Sequence, residues 1–239
     1  MELPVKLHNS PLIDCIIEIR FVPAMRISSA VFGVIYNQVK NLYKGNVIPL
    51  PLVNLPENIR ETNPNLKYKP LYFIEGKKTN IQIGTDVINV ISKMPYIGWS
   101  EFSKSVEDVF QKVFECDVVG NVIRLGHRYV NFVKGDISSE LNIILNGKDV
   151  ASQISNINYR IDIPNGDFNN CLMFTNTGRY NDISGSLIDI DTSRIYTDEY
   201  FKNNITQEIE NAHKSEKQLF FKLLSDKLLQ SFNPEYSNE

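Results

Sequence analysis

The sequence predicts an α+β fold: a curved, mostly antiparallel sheet with helices packed on one face and a long C-terminal helix. Three observations carry that expectation. Runs of alternating apolar and polar residues, separated by short turns, mark strands that pair with their neighbours in the chain. Three other stretches repeat apolar residues at helical spacing. The balance of 42% hydrophobic against 22% charged residues over 239 residues is that of a globular chain, long enough to bury roughly 70% of its unfolded surface. A single domain, 1–239, is the simplest division. The order of strand, helix, strands and helix loosely recurs, which allows two sub-halves at about 1–135 and 136–239.

The elements follow in order. From Ile13 the run IDCIIEIRFV alternates, with Ile17, Ile19 and Phe21 on one side and Glu18 and Arg20 on the other; this is a half-buried strand. In 28–45, Val31, Phe32, Ile35, Val39, Leu42 and Tyr43 keep helical spacing between Ser28 and Gly45, a capping residue and a helix stop. The segment 46–70 holds Pro49, Pro51, Pro56, Pro64 and Pro70, and each proline removes a backbone donor, so an ordered loop is expected. LYFIEG and TNIQIGTDVINVIS then read as a hairpin around Gly76, Lys77 and Lys78. After Pro95, Trp99, Phe102, Val106, Val109, Phe110 and Val113 form an apolar stripe opposite Lys104, Glu107, Asp108 and Lys112, an amphipathic helix. NVIRLGHRYVNFVKG is a strand. Further strands are expected at 157–163, 171–177 and 185–195, with turns at Pro164-Asn165-Gly166 and at 181–185. A helix over 204–232 closes the chain before Asn233-Pro234. The stretch 137–154 carries no clear period.

Charge and cysteine content narrow the function classes. With 25 basic and 28 acidic residues the net charge is −3, so the general attraction to polyanions that marks many nucleic-acid binders is missing. Cys15, Cys116 and Cys171 are odd in number, far apart and without a C-x-x-C, which argues against a disulfide framework and a zinc site. The start MELPVKLHNSPL has neither the charge nor the apolar core of a signal peptide, and no run reaches the ~20 apolar residues that span a bilayer. A cytoplasmic protein with no membrane association is expected. Its oligomeric state is not legible.

Phosphate-cradling and nucleophile-elbow motifs are absent, and three histidines supply few general bases. Neither a catalytic residue nor a cofactor is assigned. Glu210, His213 and Glu216 lie three apart on one helix, a metal-like spacing, but with no matching pair elsewhere His213 reads as a packing residue. Asp189 and Asp191 alternate with Ile188 and Ile190, so both carboxylates share a strand face; they hold Mg²⁺, share a proton or face water, the last being the ordinary case. RLGHRYVN places Leu125, His127, Tyr129 and Asn131 on one face and Arg124, Gly126 and Arg128 on the other. A gap at Gly126 between two guanidinium groups suits a planar anion or a partner's carboxylate. If the first strand is a neighbour, Arg20 and Glu18 join that surface. The bland counterpart is a salt-bridge ladder on an exposed sheet. Trp99 either staples its helix to the core or anchors a contact.

NSPLIDCIIEIRF, the PYIGWSEF entry to a helix, the RLGHRYVN strand and the terminal AHKSEKQLFFKLLSD helix resemble a sporadically distributed bacterial family of uncharacterised proteins of about 250 residues. The likeness covers nearly the whole chain. Members carry a proline-glycine-tryptophan-like step, where this sequence has Ile97-Gly98-Trp99, and an arginine-leucine-glycine-x-arginine-tyrosine strand, here Arg124 to Tyr129. The resemblance carries over no activity. It implies an accessory gene of mobile elements, such as a toxin neutraliser or a phage-defence component, and hence protein binding.

The leading expectation is therefore a non-enzymatic protein-interaction module, with Glu18, Arg20, Trp99, Arg124 and Arg128 as candidate contact residues, using the open sheet face or the proline-rich loop. Two alternatives stand beside it. One is a small-anion or nucleic-acid binder using Arg20, Arg124 and Arg128. The other is a metal-dependent hydrolase using Asp189 and Asp191.

Overall fold

A computed structural model describes residues 3–24, 28–145, 148–149 and 156–237. Nine strands make the main sheet: β1 (Leu12–Pro23), β2 (Val47–Pro49), β3 (Tyr72–Ile74), β4 (Thr79–Ile83), β5 (Val87–Ser92), β6 (Val119–Lys134), β7 (Asn158–Asn165), β8 (Phe168–Tyr180) and β9 (Ile183–Ile195). The helices are α1 (Ser28–Val39), α2 (Glu57–Thr62), α3 (Trp99–Phe114), α4 (Tyr200–Asn203), α5 (Ile205–Leu223) and α6 (Asp226–Ser231). Strand order is β7-β8-β9-β6-β1-β5-β4-β3-β2, and the pairs β7–β8, β1–β5, β5–β4, β4–β3 and β3–β2 are antiparallel. The α+β class read from the sequence is the observed one.

The chain divides into two compact units that are interleaved in sequence. A terminal unit takes Met1–Asp14, Arg128–Thr192 and Ala212–Glu239, and an inserted unit takes Cys15–His127 and Ser193–Asn211. Strands β1, β6 and β9 contribute residues to both, so neither unit is a half of the chain cut near residue 135.

In the inserted unit, β1 turns Cys15, Ile17, Ile19 and Phe21 inward, α1 contributes Val31, Ile35 and Val39, and α3 contributes Phe102, Val106, Val109, Phe110 and Val113. Phe21, Phe102 and Phe110 are fully buried, and each such ring contributes roughly 1.5–3 kcal/mol. Helix α3 begins after Gly98 at φ 89°, a backbone state that side chains rarely tolerate. Thr79–Ile83 and Val87–Ser92 are two strands, not the one expected from the unbroken run TNIQIGTDVINVIS. The chain reverses at 84–86, where Gly84 N–H donates to the Val87 carbonyl at 2.8 Å, so the expected single hairpin is a three-stranded meander. The proline-rich segment is more regular than a loop: it forms β2, a 3₁₀ turn over Pro51–Asn54 and α2. Pro51 opens the 3₁₀ turn and Pro56 precedes α2, positions where a missing N–H costs no hydrogen bond.

In the terminal unit, Leu172 and Phe174 of β8 and Ile188 and Ile190 of β9 pack with Phe220, Phe221, Leu223, Leu224, Leu228, Leu229 and Phe232. The helix expected over 204–232 is interrupted. Residues 140–142 take over its hydrogen bonds at 223–225: Asn142 N–H donates to the Leu223 carbonyl at 2.7 Å, and Ser225 N–H donates to the Glu140 carbonyl at 2.9 Å. The Asn142 side chain holds the Leu224 carbonyl at 2.8 Å, and the Ser225 hydroxyl restarts the helix as the cap of α6, accepting from Leu228 N–H at 3.2 Å. Helical periodicity survives the break, which hides it from the sequence. Of the unassigned stretch 137–154, residues 146–147 and 150–154 lie outside the described residues.

Glu216 is 1% exposed in this core and its Oε1 has no hydrogen-bond partner. Burial pushes its carboxyl from the ordinary 4.5 up to about 8, against the opposing field of Lys217. The folded protein therefore keeps this proton after the unfolded chain has lost it. Folding is disfavoured progressively as pH rises from 4.5 to about 8, by at most about 1.4 kcal/mol per pH unit, and levels off above. Glu216→Gln removes that slope: denaturant unfolding at pH 5 and pH 9 is expected to show a smaller difference in the variant, which is the more stable protein at pH 9.

Candidate functional site

The register of β1 on β5 pairs Glu18 with Asn89 and Arg20 with Val87, and alternation leaves Glu18 and Arg20 on the face opposite the buried Ile17, Ile19 and Phe21. In the same unit Arg124 of β6 reaches that face. Arg20 Nε and Arg124 Nη1 each donate to Glu18 Oε1 at 2.7 Å. The three side chains are 33%, 13% and 19% exposed for Arg20, Arg124 and Glu18, so one carboxylate oxygen in a partly dry setting holds two guanidinium groups. The gap expected at Gly126 is filled. A Cβ there would lie 2.2 Å from Arg124 Nη1, so glycine leaves the space that the Arg124 head itself occupies. Arg128 belongs to the terminal unit, where its Nε and Nη2 meet Asp189 Oδ1 and Oδ2 at 2.8 and 2.5 Å. This bidentate pair is what becomes of the expected Asp189 and Asp191 site: Asp189 carries a guanidinium. Among the described residues no group of three or more His, Cys, Asp or Glu side chains is arranged to hold a metal ion.

Trp99 is half-buried, donates from Nε1 to Glu210 Oε1 at 2.7 Å, and lies edge-on to Phe102 with ring centroids 6.5 Å apart. It staples the start of α3 to 205–211, so it is a half-buried packing residue. Glu210 is thereby engaged, while Glu216 is buried in the terminal unit; the helical triplet Glu210, His213, Glu216 does not converge.

Sequence reasoning missed a cleft of about 270 Å³ in the inserted unit, walled by α2, by 66–69 and by the 84–86 turn. Tyr68, at φ 59°, turns its ring under two cations, with Arg20 Cζ at 5.0 Å and Lys67 Nζ at 4.9 Å from the centroid. Asp86 fixes that turn, because its carboxylate accepts the Tyr68 N–H. Burial raises the Asp86 carboxyl above its ordinary range, and the Lys67 charge and this N–H draw it back down. Gly84 permits the closure, since a Cβ there would lie 2.8 Å from the Lys69 carbonyl oxygen. Arg60, Lys67 and Lys69 line the cleft with Glu57, Glu61 and Leu71, and neither histidine nor cysteine is among the lining residues. The arrangement offers charge, one aromatic ring and apolar floor, which are binding chemistry; it pairs no nucleophile with a base. No period or motif in 57–69 announces it, because the cleft is built from a tertiary turn.

No protein-family model matches the chain, and no curated protein matches it. Among the described residues, no helix is long and apolar enough to cross a membrane.

The fit of Arg124 over Gly126 makes a testable coupling. Gly126→Ala displaces the Arg124 head from Glu18, and Glu18→Gln strips both arginines of their carboxylate. Each change is expected to destabilise by about 1–2 kcal/mol. In a double-mutant cycle read by denaturant unfolding, the second change costs clearly less when the first is present.

Proposed function

We propose that this chain is a non-enzymatic, cytoplasmic protein-interaction module, a subunit or neutralising partner in an accessory bacterial system of the toxin-neutralising or phage-defence kind, and that it docks its partner through the 46–70 segment of the inserted unit. One observation carries the reading. The 3₁₀ turn and α2 are ordered yet bury no residue, and Val47, Ile48, Leu55 and Ile59 stand 37%, 42%, 37% and 45% exposed. Large aliphatic groups clustered on one ordered surface segment are a feature of contact sites more than of a solvated face. The resemblance of the four sequence segments to an accessory bacterial family supports the same reading.

The arginine-bearing face supports the other two readings less well. Arg20 and Arg124 already share Glu18, and Arg128 already holds Asp189. An anion would compete with in-place carboxylates, and a metal ion at Asp189 would have to displace a bidentate guanidinium.

Tagged protein expressed in its native host tests the proposal. Wild-type protein is expected to recover a partner in near-stoichiometric amount, and Leu55→Asp with Ile59→Asp to recover at least about tenfold less. The thermal midpoint should stay within about 2 °C, because both positions are exposed. Recovery of the wild-type protein alone at every concentration, or equal recovery by the variant, would contradict it.

A further inference from the structure

One end of the sheet order is β7, an eight-residue strand of the terminal unit whose outer edge meets no other strand among the described residues. Its register on β8 runs without a bulge from Asn158 opposite Thr175 to Asn165 opposite Phe168. One position before it, the Ile157 carbonyl accepts the Asn176 N–H at 3.2 Å. Hydrogen-bonded positions alternate along an antiparallel pair, so residues 157, 159, 161, 163 and 165 turn their backbone groups to β8. Asn158, Arg160 and Asp162 turn N–H and C=O outward, and Pro164 turns out a carbonyl alone. Such an edge is a template for a further strand.

The side chains on the edge decide which strand. Charged residues there ordinarily repel an added chain, but Arg160 and Asp162 have opposite sign, sit two residues apart and share one face. Their side chains stand 66% and 55% exposed with Nη2 and Oδ1 3.7 Å apart. Arg160 Nε donates to Cys171 Sγ at 3.0 Å, and Asp162 Oδ1 accepts from Asn169 Nδ2 at 3.1 Å, which leaves both heads capacity for a further partner. Two copies of β7 laid antiparallel about a two-fold axis at Ile161 set Arg160 of each opposite Asp162 of the other. Moving the axis one residue either way sets Arg160 against Arg160 or Asp162 against Asp162, so the charges select a single register.

We infer that the β7 edge pairs with the same edge of a second copy of this chain, in an isologous dimer whose two sheets run on as one. In that register Arg160 and Asp162 exchange backbone hydrogen bonds across the axis, and the Asn158 N–H reaches the facing Pro164 carbonyl. Ile161 meets its own copy at a non-hydrogen-bonded position, where side chains approach most closely. A two-fold contact uses up both edges, and association closes at two chains. The edge belongs to the terminal unit and 46–70 to the inserted one, so self-association and partner docking stand or fall separately.

Analytical ultracentrifugation over a rising concentration series is expected to show a reversible monomer–dimer equilibrium. Arg160→Glu and Asp162→Lys each bring like charges face to face and should weaken it at least about tenfold, whereas Arg160→Asp with Asp162→Arg in one chain restores it to within about threefold. Lys214→Glu, on an exposed position of α5, should leave it unchanged. In a Cys171→Ser background, Ile161→Cys is expected to join two copies by a disulfide under mild oxidation, because opposed Cα atoms at such a position lie about 4.5 Å apart, and Asn158→Cys is not. Monomer alone at every concentration up to about 300 µM would overturn the inference. So would equal association by the single reversals and the exchanged pair, or crosslinking of Asn158→Cys as readily as Ile161→Cys.

Discussion

A guanidinium group taken partly out of water must find a carboxylate, and on the outer face of the inserted unit a single oxygen, Glu18 Oε1, serves two of them. Leaving either Arg20 or Arg124 half-dry and unpaired would cost more than the pair gains, so the position of each of these side chains depends on the other two. The consequences reach outward. Arg124 must lie along its own strand to touch Glu18, and only a residue without a Cβ at 126 leaves room for it. Arg20, fixed at its Nε, lies over the Tyr68 ring with Cζ 5.0 Å from the centroid, and Tyr68 is in the turn by which 66–69 closes.

The same constraint separates cations that meet a carboxylate from cations that stay hydrated at the surface. Four arginines are held by carboxylates: two by Glu18, a third by Asp189, and Arg194 by the fully buried Glu208, with Tyr196 donating to the same carboxylate at 2.6 Å. Lys44, Lys67, Lys69 and Lys77 make no ion pair among the described residues, and Lys67 lies over the Tyr68 ring. This division follows the chemistry of the two groups, since a planar fork loses less on partial dehydration than a compact, strongly hydrated ammonium. The proposed docking segment is accordingly the proline-rich one, and not the strands whose arginines stand out in the sequence.

Much of the fold was legible because one face of each element is buried. Alternation in IDCIIEIRFV and RLGHRYVN, and the apolar stripe from Trp99 to Val113, have period and face in common with the structure. Legibility fails where a hydrogen bond from a distant residue overrides the local pattern. Glu140 and Asn142 break the last helix without disturbing its apolar spacing, and Gly84 folds one β-rich run into two strands. Strand alternation reports direction and not partnership. It put Glu18 beside Arg20 and Arg124; it did not say that one carboxylate oxygen would satisfy both, or that Gly126 accommodates a side chain from its own strand. The cleft at Tyr68 left no trace, since its walls come from three separated stretches.

The central claim is that the sheet-face arginines are internally satisfied and that binding chemistry lies elsewhere in the inserted unit. Side-chain ¹⁵N NMR of the arginine Nε–Hε groups during titration with inorganic phosphate measures this directly. The account predicts that the Arg20 and Arg124 signals stay in place throughout the titration and move only when Glu18 is changed to Gln. Progressive, saturable movement of both signals in the unaltered protein would show that the guanidinium groups are open to an incoming anion, and would contradict it.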